Sequence, residues 1–143
     1  MKKYTHDQIL QLVRAFETHQ LPKAAWTHEA HLIVAIHHAS SYPESQTLGL
    51  TRQQIRSYNE AIGTANTDHT GYHETITRIW LTIAHQFVAL HASLDLEERV
   101  NRFLQSKYAD RALIFRFYSK EYLMSAEARL NYVKPDVKSV SIQ

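Results

Sequence analysis

Apolar residues recur at three- and four-residue steps along most of this chain, the spacing of helix faces packed on a core. Ile9, Leu12, Val13 and Phe16 form the first stripe, and Thr5 followed by Gln8 supplies a capping-box start for it. "QLPKAA" breaks the pattern, and Thr27 then predicts the N-cap of a second helix running to about Ser40, with Leu32, Ala35, Ile36 and Ala39 as its apolar face. A third helix begins near Pro43, carries Leu48, Ile55, Tyr58 and Ile62, and stops at Gly63, a residue suited to the left-handed C′ position. Past the polar loop "TANTDHT", Gly71 introduces the strongest period of all: Tyr72, Ile76, Ile79, Trp80, Ile83, Phe87 and Leu90. Asp95 with Glu98 starts another helix, whose buried face is Val100, Phe103 and Leu104. One or two short helices follow before Pro135, and 134–143 read as an extended tail. The pattern predicts an all-α protein, a compact single-domain bundle of five to seven helices with short connections.

Three glycines and three prolines are too few for a β-rich chain with frequent turns. Sixteen basic residues against fourteen acidic ones, spread evenly, give a net charge of +2 and no basic cluster, which argues against nucleic acid as a partner. No cysteine is present, so disulfides, thiolate metal sites and a cysteine nucleophile are all excluded. "MKKYTHDQIL" has helical rather than signal-peptide spacing, and no apolar run approaches the length of a membrane span. These features lead us to expect a cytoplasmic protein and leave its oligomeric state open.

Ten histidines add the candidate chemistry. His6, His19, His69 and His91 fall at helix ends or in loops, and His37 and His38 lie near the end of their helix, where a solvated imidazole is favoured by the dipole. His28 and His31 differ. At i and i+3 their Cβ atoms stand about 5–6 Å apart on one face, so both imidazoles can reach one metal at ~2.0–2.1 Å. The first turn of a helix also disfavours the protonated form and favours the ligating one. In "HTGYHETITRIW", His73 is again placed in a first turn, beside Glu74. If the two N-termini meet, His28, His31 and His73 would hold a divalent ion and leave an open position, with Glu29 or Glu74 as base, ligand or partner. Imidazole suits Zn²⁺, Ni²⁺ and Fe²⁺ alike. His85, over three turns beyond His73 and too far to share its metal, reads as a core histidine or as a hydrogen-bond partner behind the ligands.

Arg78 and Arg129 lie in otherwise apolar stretches and could anchor a substrate carboxylate, although structural ion pairs are the commoner use of such arginines. No serine elbow, Glu-x-x-His pattern or glycine-rich phosphate loop occurs. Three motifs remain: "WTHEAHL" (26–32), "GYHETIT" (71–77) and "EARLNYVKPDV" (127–137). On these the chain resembles an uncharacterised family of small bacterial helical proteins. Its members share an aromatic residue then Thr/Ser-His-x-x-His-Leu/Val, Tyr-His-x-Thr-Ile/Leu-Thr, and a C-terminal Ala-Arg-x-x-aromatic-x-x-Pro-Asp-Leu. The resemblance spans almost the whole chain, with Val137 standing where Leu is usual. It implies that His28, His31 and His73 belong to a common pattern, with Arg129, Pro135 and Asp136 closing the C-terminal element, and it supplies no reaction.

The leading expectation is a metal-dependent enzyme, a hydrolase or lyase acting on a small molecule through metal-activated water or a metal-polarised carbonyl. The alternative is a metal-free ligand-binding or interaction module with a polar histidine pocket lined by Trp26, Tyr72 and Trp80. A third reading gives the histidines a structural role, capping and bridging helices.

Overall fold

The computed structural model describes residues 3–142, so Met1, Lys2 and Gln143, the outermost residues of the expected N-terminal stretch and tail, lie outside the described residues. The described chain is all α, with seven α-helices, short 3₁₀ turns and no strand. These are α1 (His6–Glu17), α2 (His28–Ser41), α3 (Glu44–Ala61), α4 (Glu74–Leu90), α5 (Leu96–Gln105), α6 (Lys120–Leu123) and α7 (Ala126–Leu130). No helix among the described residues is long and apolar enough to cross a membrane.

Local chemistry sets most boundaries. Thr5 accepts the Gln8 amide while the Gln8 side chain accepts the Thr5 amide, closing the capping box of α1. Thr27 and Asp95 cap α2 and α5 in the simpler way, through the amides of Ala30 and Glu98. Gly63, at φ +83°, ends the turn after α3 where an L side chain would be strained.

Helix α2 departs from the expected one-sided stripe. Ala30, Leu32, Ile33, Val34, Ala35, Ile36, His38 and Ala39 are all buried, so the helix is apolar on nearly every side and runs through the middle of the molecule. It packs on α1, α4 and α5, and Ile9, Phe16, Tyr58, Ile79, Ile83, Val100 and Phe103 close the core around it.

His38 corrects the solvated reading given to the helix-end histidines, because it is fully buried. Its Nε2–H donates to Gln54 Oε1 at 2.6 Å and its Nδ1 faces His37 Nδ1 at 2.9 Å, while Gln54 Nε2 donates to Glu17 Oε2 at 2.9 Å. A buried imidazole is tolerated here because each of its nitrogens has a partner. The C-terminal segment after α7 forms no helix or strand over its described residues and is strapped down. Asp136 accepts from the Ser119 amide and hydroxyl, Gln86 pairs with Val140 O and the Ile142 amide, and Ile142 is buried.

Candidate functional site

The three histidines of the expected metal centre do not assemble. His73 is the N-cap of α4 rather than a first-turn residue: its Nδ1 accepts the Ile76 amide at 3.1 Å, and its Nε2–H donates to Leu123 O at 2.8 Å. Both ring nitrogens are therefore committed to backbone, and no lone pair remains for a metal. His28 donates from Nε2 to Ala109 O at 2.9 Å and meets the Trp80 ring edge-on at 5.2 Å. His31 donates from Nδ1 to Thr27 O at 2.7 Å and stacks on Trp26 at 3.7 Å. Among the described residues no group of three or more His, Asp or Glu is placed to hold a metal ion. Burial lowers the pKa of His28 and His73, and pushes that of His31 down to about 4, so all three are neutral at pH 7.

The carboxylates and aromatic residues are equally committed. Glu29, in the first turn of α2, accepts from Tyr4 Oη at 2.5 Å. Trp26 lies between Phe16, stacked at 4.3 Å, and His31, so it is a core strut rather than a wall shared with Tyr72. Glu74 accepts from Arg52 Nε at 2.8 Å, Arg52 Nη2 at 2.6 Å and Tyr72 Oη at 2.7 Å. Burial opposes the charge on Glu74, but the bonds from Arg52 and Tyr72 outweigh it and hold the carboxyl below its ordinary pKa. A carboxylate so clamped is a poor general base. Its work here is to aim Arg52 and Tyr72.

That clamp forms one wall of a cleft of about 340 Å³. From α3 come Arg52 and Arg56, from the loop before α4 Asn66 and Thr67, then Tyr72 and Glu74, and from α7 and beyond Arg129, Leu130, Asn131 and Tyr132. The loop is fastened by Asn66, whose Oδ1 accepts from Asn59 Nδ2 and the Tyr72 amide, both at 3.0 Å, while its Nδ2 donates to Arg56 O at 3.1 Å. Gly71 is required beside it. Its φ is +76°, and a Cβ there would stand 2.4 Å from Ala65 O and 2.9 Å from Asn66 Cα, backbone atoms that cannot turn away.

The opposite wall is tied on by Arg129 Nη1 donating to Gly71 O at 2.8 Å, and by Thr75 Oγ1, which donates to Asn131 O and accepts the Val133 amide. The "GYHETIT" and "EARLNYVKPDV" segments thus meet along this cleft, while "WTHEAHL" sits elsewhere in the core. Arg78 stays outside: its guanidinium lies 3.8 Å from the Tyr132 ring centroid, in a neighbouring groove of which Tyr132 is also a wall.

Of the expected site residues, the structure brings together Tyr72, Glu74 and Arg129. It adds Arg52 and Arg56, whose i, i+4 spacing puts both on one face of α3 and is the signal in the sequence that could have pointed to them. Comparison with protein-family models, with curated proteins and with solved structures finds no match for this chain.

Proposed function

We propose that this protein binds a small anionic molecule in the cleft between α3, the start of α4 and α7, without a metal. The observation that carries the reading is that three arginines, Arg52, Arg56 and Arg129, line the cleft against a single carboxylate. Two of them are held in place in advance, Arg52 by Glu74 and Arg129 by Gly71 O, so little side-chain freedom remains to be lost on binding. Arg56 has no side-chain partner among the described residues and stands ready to meet a ligand.

A second basic groove of about 390 Å³, containing Lys107, Arg116 and Lys138, makes the comparison useful. Its Lys107 is 5.4 Å from the ring of its neighbour Tyr108, and Asp110 lines the same groove. Nothing there orients several cations toward one point.

Titration calorimetry with small carboxylates and phosphates tests the reading. At least one anion should bind saturably, and Arg56→Gln should weaken it at least about tenfold, the size of one charge-assisted hydrogen bond. Arg116→Gln, in the other groove, should leave binding unchanged. No saturable binding by any anion, or equal losses in the two variants, would overturn the proposal.

A further inference from the structure

We infer that the anion is a small phosphate monoester, an inference that rests on the cleft-binding reading above. Charge is the first argument. Three arginines against Glu74 leave two positive charges on the lining, which matches a dianion better than a monocarboxylate.

Shape is the second. A carboxylate presents two oxygens in one plane and is satisfied by one guanidinium fork, whereas a phosphate presents three terminal oxygens as a tripod. The cleft offers guanidiniums from separate elements: Arg52 and Arg56 from α3, and Arg129 from α7 across from them. Arg52 still has its Nη1 group beyond the two donors given to Glu74, and Arg129 keeps Nη2 beyond the bond to Gly71.

Size is the third. A phosphate group has five heavy atoms, and at the ~30 Å³ a water takes in the liquid it would fill less than half of the 340 Å³. Leu130 and Tyr132 also line the cleft and supply apolar surface suited to the organic group of a monoester rather than to free phosphate. The clamped Glu74 is not free to activate water against the bound ester.

Binding of phenyl phosphate, inorganic phosphate, sulfate and succinate to the full chain, measured by calorimetry from pH 5 to 8, tests this. Phenyl phosphate should bind most tightly, at least about tenfold better than succinate, and Arg129→Gln and Arg56→Gln should each weaken it. Because a phosphate monoester loses its second proton near pH 6, its affinity should rise up to about tenfold per pH unit below 6 and level off above 7. Sulfate, doubly charged throughout, should show no such rise.

The charged and titratable lining groups are Arg52, Arg56, Arg129, Glu74, Tyr72 and Tyr132. Glu74 is held low and Tyr72 is pushed up, by burial and by its bond to Glu74. His73, which feels the Arg129 charge, is held low by burial, and a histidine gaining its proton on acidification would tighten anion binding at low pH, the opposite of the expected slope. Succinate equal to or better than phenyl phosphate, or a phenyl phosphate affinity flat with pH, would overturn the phosphate assignment and leave an anion cleft standing. No binding of any of the four would overturn both.

Discussion

Acidification from pH 7 to 4.5 is expected to destabilise this protein steeply, with a net uptake of protons on unfolding at pH 5.5. Six histidines, His28, His31, His37, His38, His73 and His85, have pKa values lowered by burial, that of His31 to about 4. In the unfolded chain each returns to about 6.5. Above that pH both states carry them neutral and the contribution to stability is fully present. Below it the unfolded chain takes protons that the folded chain refuses, and each such histidine costs ~1.4 kcal/mol per pH unit until its folded pKa is reached. His31 alone then contributes on the order of 3 kcal/mol between pH 6.5 and 4, a large share of the 5–15 kcal/mol typical of a domain. Urea denaturation at half-unit pH intervals measures the slope. No net uptake at pH 5.5 would contradict this account of the buried imidazoles. Saturating Zn²⁺ or Ni²⁺ should leave the slope as it is, whereas an ion held by His28, His31 and His73 would steepen it.

Phe16→Ala is expected to cost about 3–5 kcal/mol at pH 7.5, the range for losing a buried phenyl ring. Phe16 is fully buried, stacked at 4.3 Å and 11° on Trp26 and tilted on Tyr58 at 5.4 Å. Trp26 in turn lies 5.4 Å from Tyr58 and 3.7 Å from His31, so one aromatic column joins α1, α3 and the start of α2. The cavity left by the phenyl would be lined mainly by rigid rings, which collapse poorly onto empty space. The variant should also take up fewer protons on acid unfolding, because a loosened Trp26 lets water reach His31. A cost below about 1.5 kcal/mol would mean that the column is not a structural unit. An undiminished proton count would mean that Trp26 does not set the pKa of His31.

The features legible in the sequence are those decided within four residues. Thr5, Thr27, Asp95 and Gly63 stand where their capping and turn chemistry placed them, because the partner of each is an amide or carbonyl one turn away. The region between Lys107 and Leu130 predicts only one or two short helices, since its pieces are three to six residues long and show too few repeats to define a period. The burial of α2 was underestimated because His31, His37 and His38 interrupt its apolar run and imitate a polar face. The burial of His38 rests on its neighbour His37 and on Gln54, sixteen residues on. The cleft was half visible. Arg129 and Tyr72 were named, but their meeting depends on contacts spanning nearly sixty residues, such as Arg129 with Gly71, which no local pattern encodes. His73 lies at the helix start that its sequence context predicts, but one residue's shift from first turn to N-cap turns its Nδ1 from a possible ligand into an acceptor for the helix.

The central position of α2 also decides how the molecule breathes. A helix enclosed on nearly all sides has no face through which solvent reaches its backbone while its neighbours remain in place. The amides of Ile33 to Ile36 therefore exchange with deuterium only when the whole structure opens, and their protection reads out global stability. The short α6 and α7 have no such enclosure: Met124 and Leu130 are 44 % and 55 % exposed, and their turns can open locally. Ligand capture at the cleft would thus register first as slower exchange around Arg129, and reach α2 only as the share of binding energy passed to the molecule as a whole.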